Sequence, residues 1–134
     1  MAEEIQLRIV TPGAELLDER VSEVTAPGTL GEFGVLPDHA AFLSSLEIGR
    51  LSYRTSRAVY HIAVRGGFAE ISDNVMTVLA DDAQRAEDVD VAATREALHA
   101  AEQALSNLSP IDPEYAQIEA ERQWALARLE IASK

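Results

Sequence analysis

The stretch Ile5-Gln-Leu-Arg-Ile-Val10 alternates apolar and polar side chains with a period of two. That is the pattern of a strand with one face buried and one face wet. Thr11-Pro-Gly-Ala14 follows as a turn signal, and the same grammar continues for some seventy residues. Val21-Ser-Glu-Val-Thr25 reads as a further strand. Gly49–Tyr53 and Ala58–Val64 read as a hairpin closed around Arg54–Arg57. Gly66-Gly67 reads as a break, after which Phe68-Ala-Glu-Ile71 resumes. Ser72-Asp-Asn74 is a tight turn leading into Val75–Leu79. Strands arriving every 8–12 residues with turn signals between them predict an antiparallel sandwich or flattened barrel.

The period changes after Asp81. All seven glycines lie in the first 86 residues, and beyond them alanine dominates. Val91, Leu98, Ala101, Leu105 and Leu108 form one helical stripe, with Asp88 or Asp90 placed to cap it. Ser109-Pro-Ile-Asp-Pro113 breaks this helix. A second is expected with Asp112 as cap and Pro113 in its first position. Its apolar residues are Tyr115, Ile118, Ala125, Leu129 and Ala132, with Trp124, Ala127 and Ile131 alongside. So short a link makes the helices antiparallel neighbours. Alanines at 97, 101, 104, 116, 120 and 125 permit close backbone approach but bury little area. The expected architecture is an all-β N-terminal sandwich over residues 1–86 and a C-terminal antiparallel two-helix hairpin over 87–134, the latter a mobile appendage.

Composition narrows the function classes. The formal charge is −12 and the one lysine is Lys134, which disfavours a nucleic-acid partner. Without cysteine, disulfides and thiolate metal sites drop out. His39, His61 and His99 fall on a loop, a strand and a helix with no paired metal spacing, so no metal is expected. The acidic start lacks a leader's basic and apolar regions. No apolar run nears the roughly 20 residues of a membrane span. Gly28, Gly31 and Gly34 invite a phosphate-loop reading, but no lysine follows them and Glu32 would repel a phosphate. They read as turn glycines supplying positive φ. Arg50, Arg54 and Arg57 read as a solvated hairpin or a docking patch for an acidic partner. No serine-nucleophile elbow is present, and nothing nominates an enzyme.

The motifs in order are Gly28-x-x-Gly31-Glu-x-Gly34-Val-Leu-Pro-x-His39-Ala, Ile48-Gly49, Arg65-Gly-Gly-Phe-Ala-Glu-Ile71, Asn74-Val-x-Thr-Val-Leu-Ala-Asp81 and the alanine-rich hairpin. This set resembles the epsilon subunit of bacterial F-type ATP synthases, called delta in mitochondria, over essentially the whole chain. Ala41 departs from the pattern, where the family usually has proline, and so does Glu47 before Ile48-Gly49. The resemblance implies a non-catalytic rotor subunit that couples gamma to the ring of c subunits. It implies a peripheral protein on the cytoplasmic side of the bacterial membrane, whose hairpin reaches the alpha and beta subunits and inhibits ATP hydrolysis. Carried over by motif, Gly31, Glu32 and Phe33 face the c ring, and His39, Ala41 and Phe42 face gamma. No cofactor is required. Some members bind regulatory ATP through an Ile/Leu-Asp-x-x-Arg-Ala motif. Asp82, Arg85 and Ala86 match it here, with Asp81 in place of the aliphatic residue. The competing reading is a stand-alone nucleotide-sensing sandwich with a helical lid.

Overall fold

The computed structural model describes residues 2–133. Eight strands form one hydrogen-bonded sheet folded on itself: β1 (Ile5–Thr11), β2 (Ala14–Val21), β3 (Glu23–Gly28), β4 (Gly31–Val35), β5 (Phe42–Arg54), β6 (Val59–Ser72), β7 (Val75–Leu79) and β8 (Ala83–Arg85). Their order is β2-β1-β7-β6-β5-β3-β4, with β8 off this path, paired to the edge of β6 that β7 also uses. The alternation read in Ile5–Val10 is realised, with Ile5, Leu7 and Ile9 fully buried. They pack with Leu51, Ile62, Ile71 and Met76, among others, in the core between the layers. β1 pairs antiparallel with β2 and parallel with β7, Gln6 lying opposite Val75.

The long strands β5 and β6 bind the architecture together, pairing from Phe42 opposite Ile71 to Arg54 opposite Val59. Gly66-Gly67, read as a break, lies inside β6 and does not interrupt it. Both glycines have positive φ, and at Gly67 a Cβ would overlap the Leu79 carbonyl oxygen. The pair bends β6 without ending it, so that one half pairs with β8 and the other with β7. At the next turn Asp73 and Asn74 both have positive φ, as a tight hairpin with right-handed strand twist requires.

After a single 3-10 turn (Ala86–Asp88) come α1 (Val91–Ser106) and α2 (Tyr115–Ala132). Asp90 caps α1, its carboxylate accepting from the Ala93 N–H at 3.0 Å. The expected cap of α2 does not form there: the helix starts at Tyr115, two residues later than expected. The Asp112 carboxylate instead accepts from the Ser109 N–H at 2.7 Å, closing the inter-helix turn on itself. α2 carries apolar residues on two sides. Ala125 is buried, while Ile118 and Leu129 line grooves shared with α1 residues. Trp124, Ala127 and Ile131 form a second buried cluster with Ala63 of β6. Of the alanines expected at the helix contact, Ala101 and Ala125 are buried, Ala104 and Ala120 half-buried, and Ala97 and Ala116 exposed. None of the described helices is long and apolar enough to cross a membrane.

Candidate functional site

Gly28–Gly34 is a β-hairpin, with β3 and β4 paired from Val24 opposite Val35 to Gly28 opposite Gly31. Only Gly31 of the three glycines has positive φ, at 127°. Gly28 is required for a different reason: a Cβ there would lie 2.7 Å from the Gly31 oxygen and 2.9 Å from the Phe33 ring. Gly34 faces open space. The tip presents Leu30, fully exposed, with exposed Gly31 and Glu32 behind it. Phe33 turns back, packing partly on the core.

The structure brings the two groups of expected contact residues together. Phe33 meets Phe42 edge-on at 5.2 Å between ring centroids, and Phe42 meets His39 edge-on at 5.9 Å. Edge-to-face rings hold one another in place, so Phe33, Phe42 and His39 form one aromatic row. The His39 Nδ1 lies 2.7 Å from the Ala40 carbonyl. A carbonyl only accepts, so Nδ1 carries the proton. Ala41 is exposed beside the row. A second apolar surface lies on the outer face of β5, β6 and β7, where Leu43, Phe68 and Leu79 are exposed and Phe68 stands opposite Leu79. Its signal was present in the strand alternation, because each of these residues is out of phase with the buried face.

Asp82 and Arg85, which share a motif, are not brought together. The Asp82 carboxylate accepts from the N–H of Ala83 at 2.8 Å. Arg85 reaches the other way, and its Nη2 donates to the Leu16 carbonyl at 2.5 Å. There it lies beside Tyr53, whose hydroxyl is pushed up to about 12 by burial and by Glu19, with Arg85 acting in the opposite sense. Tyr53 stacks on Tyr60 at 5.2 Å. Ala86, half-buried, packs against the Trp124 cluster. Ser52 Oγ and His61 Nδ1 are 2.6 Å apart. The two residues are cross-strand register partners, so this pair clips β5 to β6.

Where the hairpin meets the sheet, Arg65 of β6 and Arg128 of α2 both lie over the Trp124 ring, at 6.0 and 5.2 Å. The Arg128 pKa is lowered, first by burial and next by the charge of Arg65, with Asp82 opposing. Arg65, Trp124 and Arg128 line a groove of about 400 Å³ bounded on its other side by α1. Farther along, Arg50 approaches Glu130 at 3.6 Å. Of the expected arginine patch, Arg50 thus bridges to the hairpin, and Arg54 pairs with Glu23 at 3.7 Å. No motif in the sequence pairs Arg65 with Arg128. The available signal was Arg128 four residues after the lone tryptophan, one helical turn on.

Residues 4–86 match the family model "ATP synthase, Delta/Epsilon chain, beta-sandwich domain", and residues 87–133 match "ATP synthase, Delta/Epsilon chain, long alpha-helix domain". The chain belongs to the ATP synthase delta/epsilon family. The "ATP synthase epsilon chain" of Geobacter sulfurreducens is 46% identical over 134 residues, all of this chain and 97% of that one. The "ATP synthase epsilon chain 2" of Syntrophotalea carbinolica is 40% identical over the same coverage. A chain in the cryo-EM structure of the Euglena gracilis mitochondrial ATP synthase superposes with a TM-score of 0.83 at 26% identity, covering all of this chain and 84% of that one. A chain of the Tetrahymena thermophila central stalk and c ring shares the fold, with a TM-score of 0.60 at 16% identity over 96% of this chain and 92% of that one. As a member of this family, the chain is a non-catalytic ATP synthase subunit.

Proposed function

We propose that this chain works in the rotor of a proton-translocating F-type ATP synthase, peripheral to the membrane on its cytoplasmic side. Its sandwich joins gamma to the c ring, and its hairpin restrains ATP hydrolysis. Gly31, Glu32 and Phe33, with the exposed Leu30 at the tip beside them, are the c-ring contact, while His39, Ala41 and Phe42 face gamma. The exposed apolar side chains in both places support this reading, because such clusters on a soluble domain mark interaction surfaces.

The observation that carries the regulatory half is the seat of the hairpin. It rests on few large side chains, chiefly Trp124 and Ile131, and its two nearest arginines repel each other across Trp124. A seat held by so few groups can be exchanged for another at a cost of a few kcal/mol. In this reading the hairpin leaves the sheet and reaches the alpha and beta subunits. The test removes residues 87–134 and assays ATP hydrolysis by the assembled catalytic complex. Hydrolysis should rise; unchanged hydrolysis overturns the inhibitory role and leaves the coupling role standing.

A second reading adds regulatory ATP. It is favoured by Arg65 and Arg128, which line one groove with an indole and form no salt bridge among the described residues. Titrating ATP into the chain and into Arg128→Ala tests it. Equal responses from both, or none from either, exclude the groove.

A further inference from the structure

The Ser72–Val75 turn does more than reverse the chain. Asn74 sits in the left-handed region at φ 61°, which asparagine tolerates better than most residues with a side chain. Its amide then spends both ends on distant segments. Oδ1 accepts the Asp38 N–H at 2.8 Å, and Nδ2 donates to the Glu4 carbonyl at 2.9 Å. The Asn74 carbonyl also accepts the Gln6 N–H at 3.2 Å.

Asp38 is the exposed apex of the segment leading into the aromatic row, and it too is left-handed, at φ 64°. The segment makes few other ties. His39 N–H donates to the Leu36 carbonyl at 3.1 Å, and the Asp38 carboxylate accepts from the Ala2 N–H at 2.8 Å. The first of these is internal to the loop, and the second leads to the chain's own N-terminal arm. Among the described residues, Asn74 is therefore the hydrogen-bonded tie between this loop and the sheet, beside the His39–Phe42 ring contact. That arm is fastened at Glu4 by the same side chain, so one amide sets both.

We infer that Asn74 is a positioning residue for partner binding: it holds the Leu36–Phe42 segment in the conformation in which His39 and Phe42 meet gamma. The inference rests on the reading above that this segment faces gamma. A loop fixed before binding loses less freedom on docking, so removing the tie weakens binding without removing a contact.

Asn74→Gly separates the two roles, because glycine keeps the left-handed turn and deletes only the side-chain amide. Asn74→Asp retains an acceptor for the Asp38 N–H. The full chain and both variants are compared by amide hydrogen exchange and by binding to purified gamma. In Asn74→Gly the Asp38 amide should exchange at least about tenfold faster while the amides of β5 and β6 keep their protection. Its dissociation from gamma should be about three- to tenfold faster. Asn74→Asp keeps the acceptor for Asp38 but sets a carboxylate oxygen against the Glu4 carbonyl where Nδ2 donated, so it should restore Asp38 protection and affinity only in part. Unchanged gamma affinity in Asn74→Gly overturns the positioning role, as does loosening of β5 and β6 equal to that of the loop. A wild-type chain that fails to bind gamma overturns the gamma-facing reading instead. The Asp38 amide then still decides whether Asn74 holds the loop.

Discussion

Truncating Trp124 to alanine tests the docked hairpin most directly. Trp124 is only 6% exposed, and it is the largest member of the cluster it forms with Ala63, Ala127 and Ile131. Removing a buried tryptophan costs about 3–5 kcal/mol through lost burial and an unfilled cavity. Its two arginine contacts add about 0.5–1 kcal/mol each when exposed, partly offset by the repulsion between the guanidiniums. The rest of the seat is Ile131, worth roughly 2–3 kcal/mol when fully buried, two alanines, the partly buried Ile48, Ala86 and Val89 packed against them, and a surface ion pair worth less than about 1 kcal/mol. The loss is therefore a large share of what holds the hairpin to the sheet. At about 1.4 kcal/mol per factor of ten, 3 kcal/mol favours the undocked state by about a hundredfold or more. Hydrogen exchange read by segment is the assay. Amides of α1 and α2 should exchange about a hundredfold or more faster, with the strands around Leu7, Ile62 and Met76 unchanged. Helix amides that speed up by less than about threefold would refute the assignment of docking energy to Trp124.

Two further predictions concern the sandwich. Gly67→Ala should cost about 3 kcal/mol or more, since the residue has φ 105° and its Cβ would overlap the Leu79 carbonyl. A thermal melt should show a fall of roughly 10 °C or more, while Gly34→Ala, with open space around it, should melt close to wild type. Tyr53 provides a pH test: its hydroxyl is raised from 10.0 to about 12 in the fold, so the fold favours the neutral phenol. Its contribution is complete below pH 10 and is lost as pH rises through 10 to 12. Urea midpoints measured across that window should fall more steeply for wild type than for Tyr53→Phe, and parallel curves would count against the burial of Tyr53 as the cause.

Much of the sandwich was legible because burial on one face writes a period of two into the chain, as in Ile5–Val10. The strand Ala14–Val21 was missed for the same physical reason in reverse. It is an edge strand, mostly exposed, with only Leu17 and Val21 buried, so little alternation marks it. β4 was hidden by Gly31 and Gly34, which with Gly28 of β3 read as turn glycines although only Gly31 has positive φ. Gly66-Gly67 signalled a break because positive φ usually ends a strand, whereas here the neighbouring Leu79 backbone occupies the space of the missing side chain. The helices were legible from their stripes, but α2 faces two partners at once, so its apolar residues spread around the helix and no single face stands out. The Arg65–Trp124–Arg128 stack and the Asn74 tie join residues on separate elements, and no local pattern records such meetings.

The parallel pairing of β1 with β7 sets an order of events during synthesis. Gln6 and its partner Val75 are separated by about 70 residues of chain, which at about 5–20 residues per second is a wait of roughly 4–14 seconds. Through that interval β1 can pair only with β2, leaving its other edge open. The sheet is completed only when Val75–Leu79 slides in between β1 and β6. The last strand of this order to be made is thus an interior one, and a ribosome that stalls before Val75 holds out an open strand edge to its neighbours.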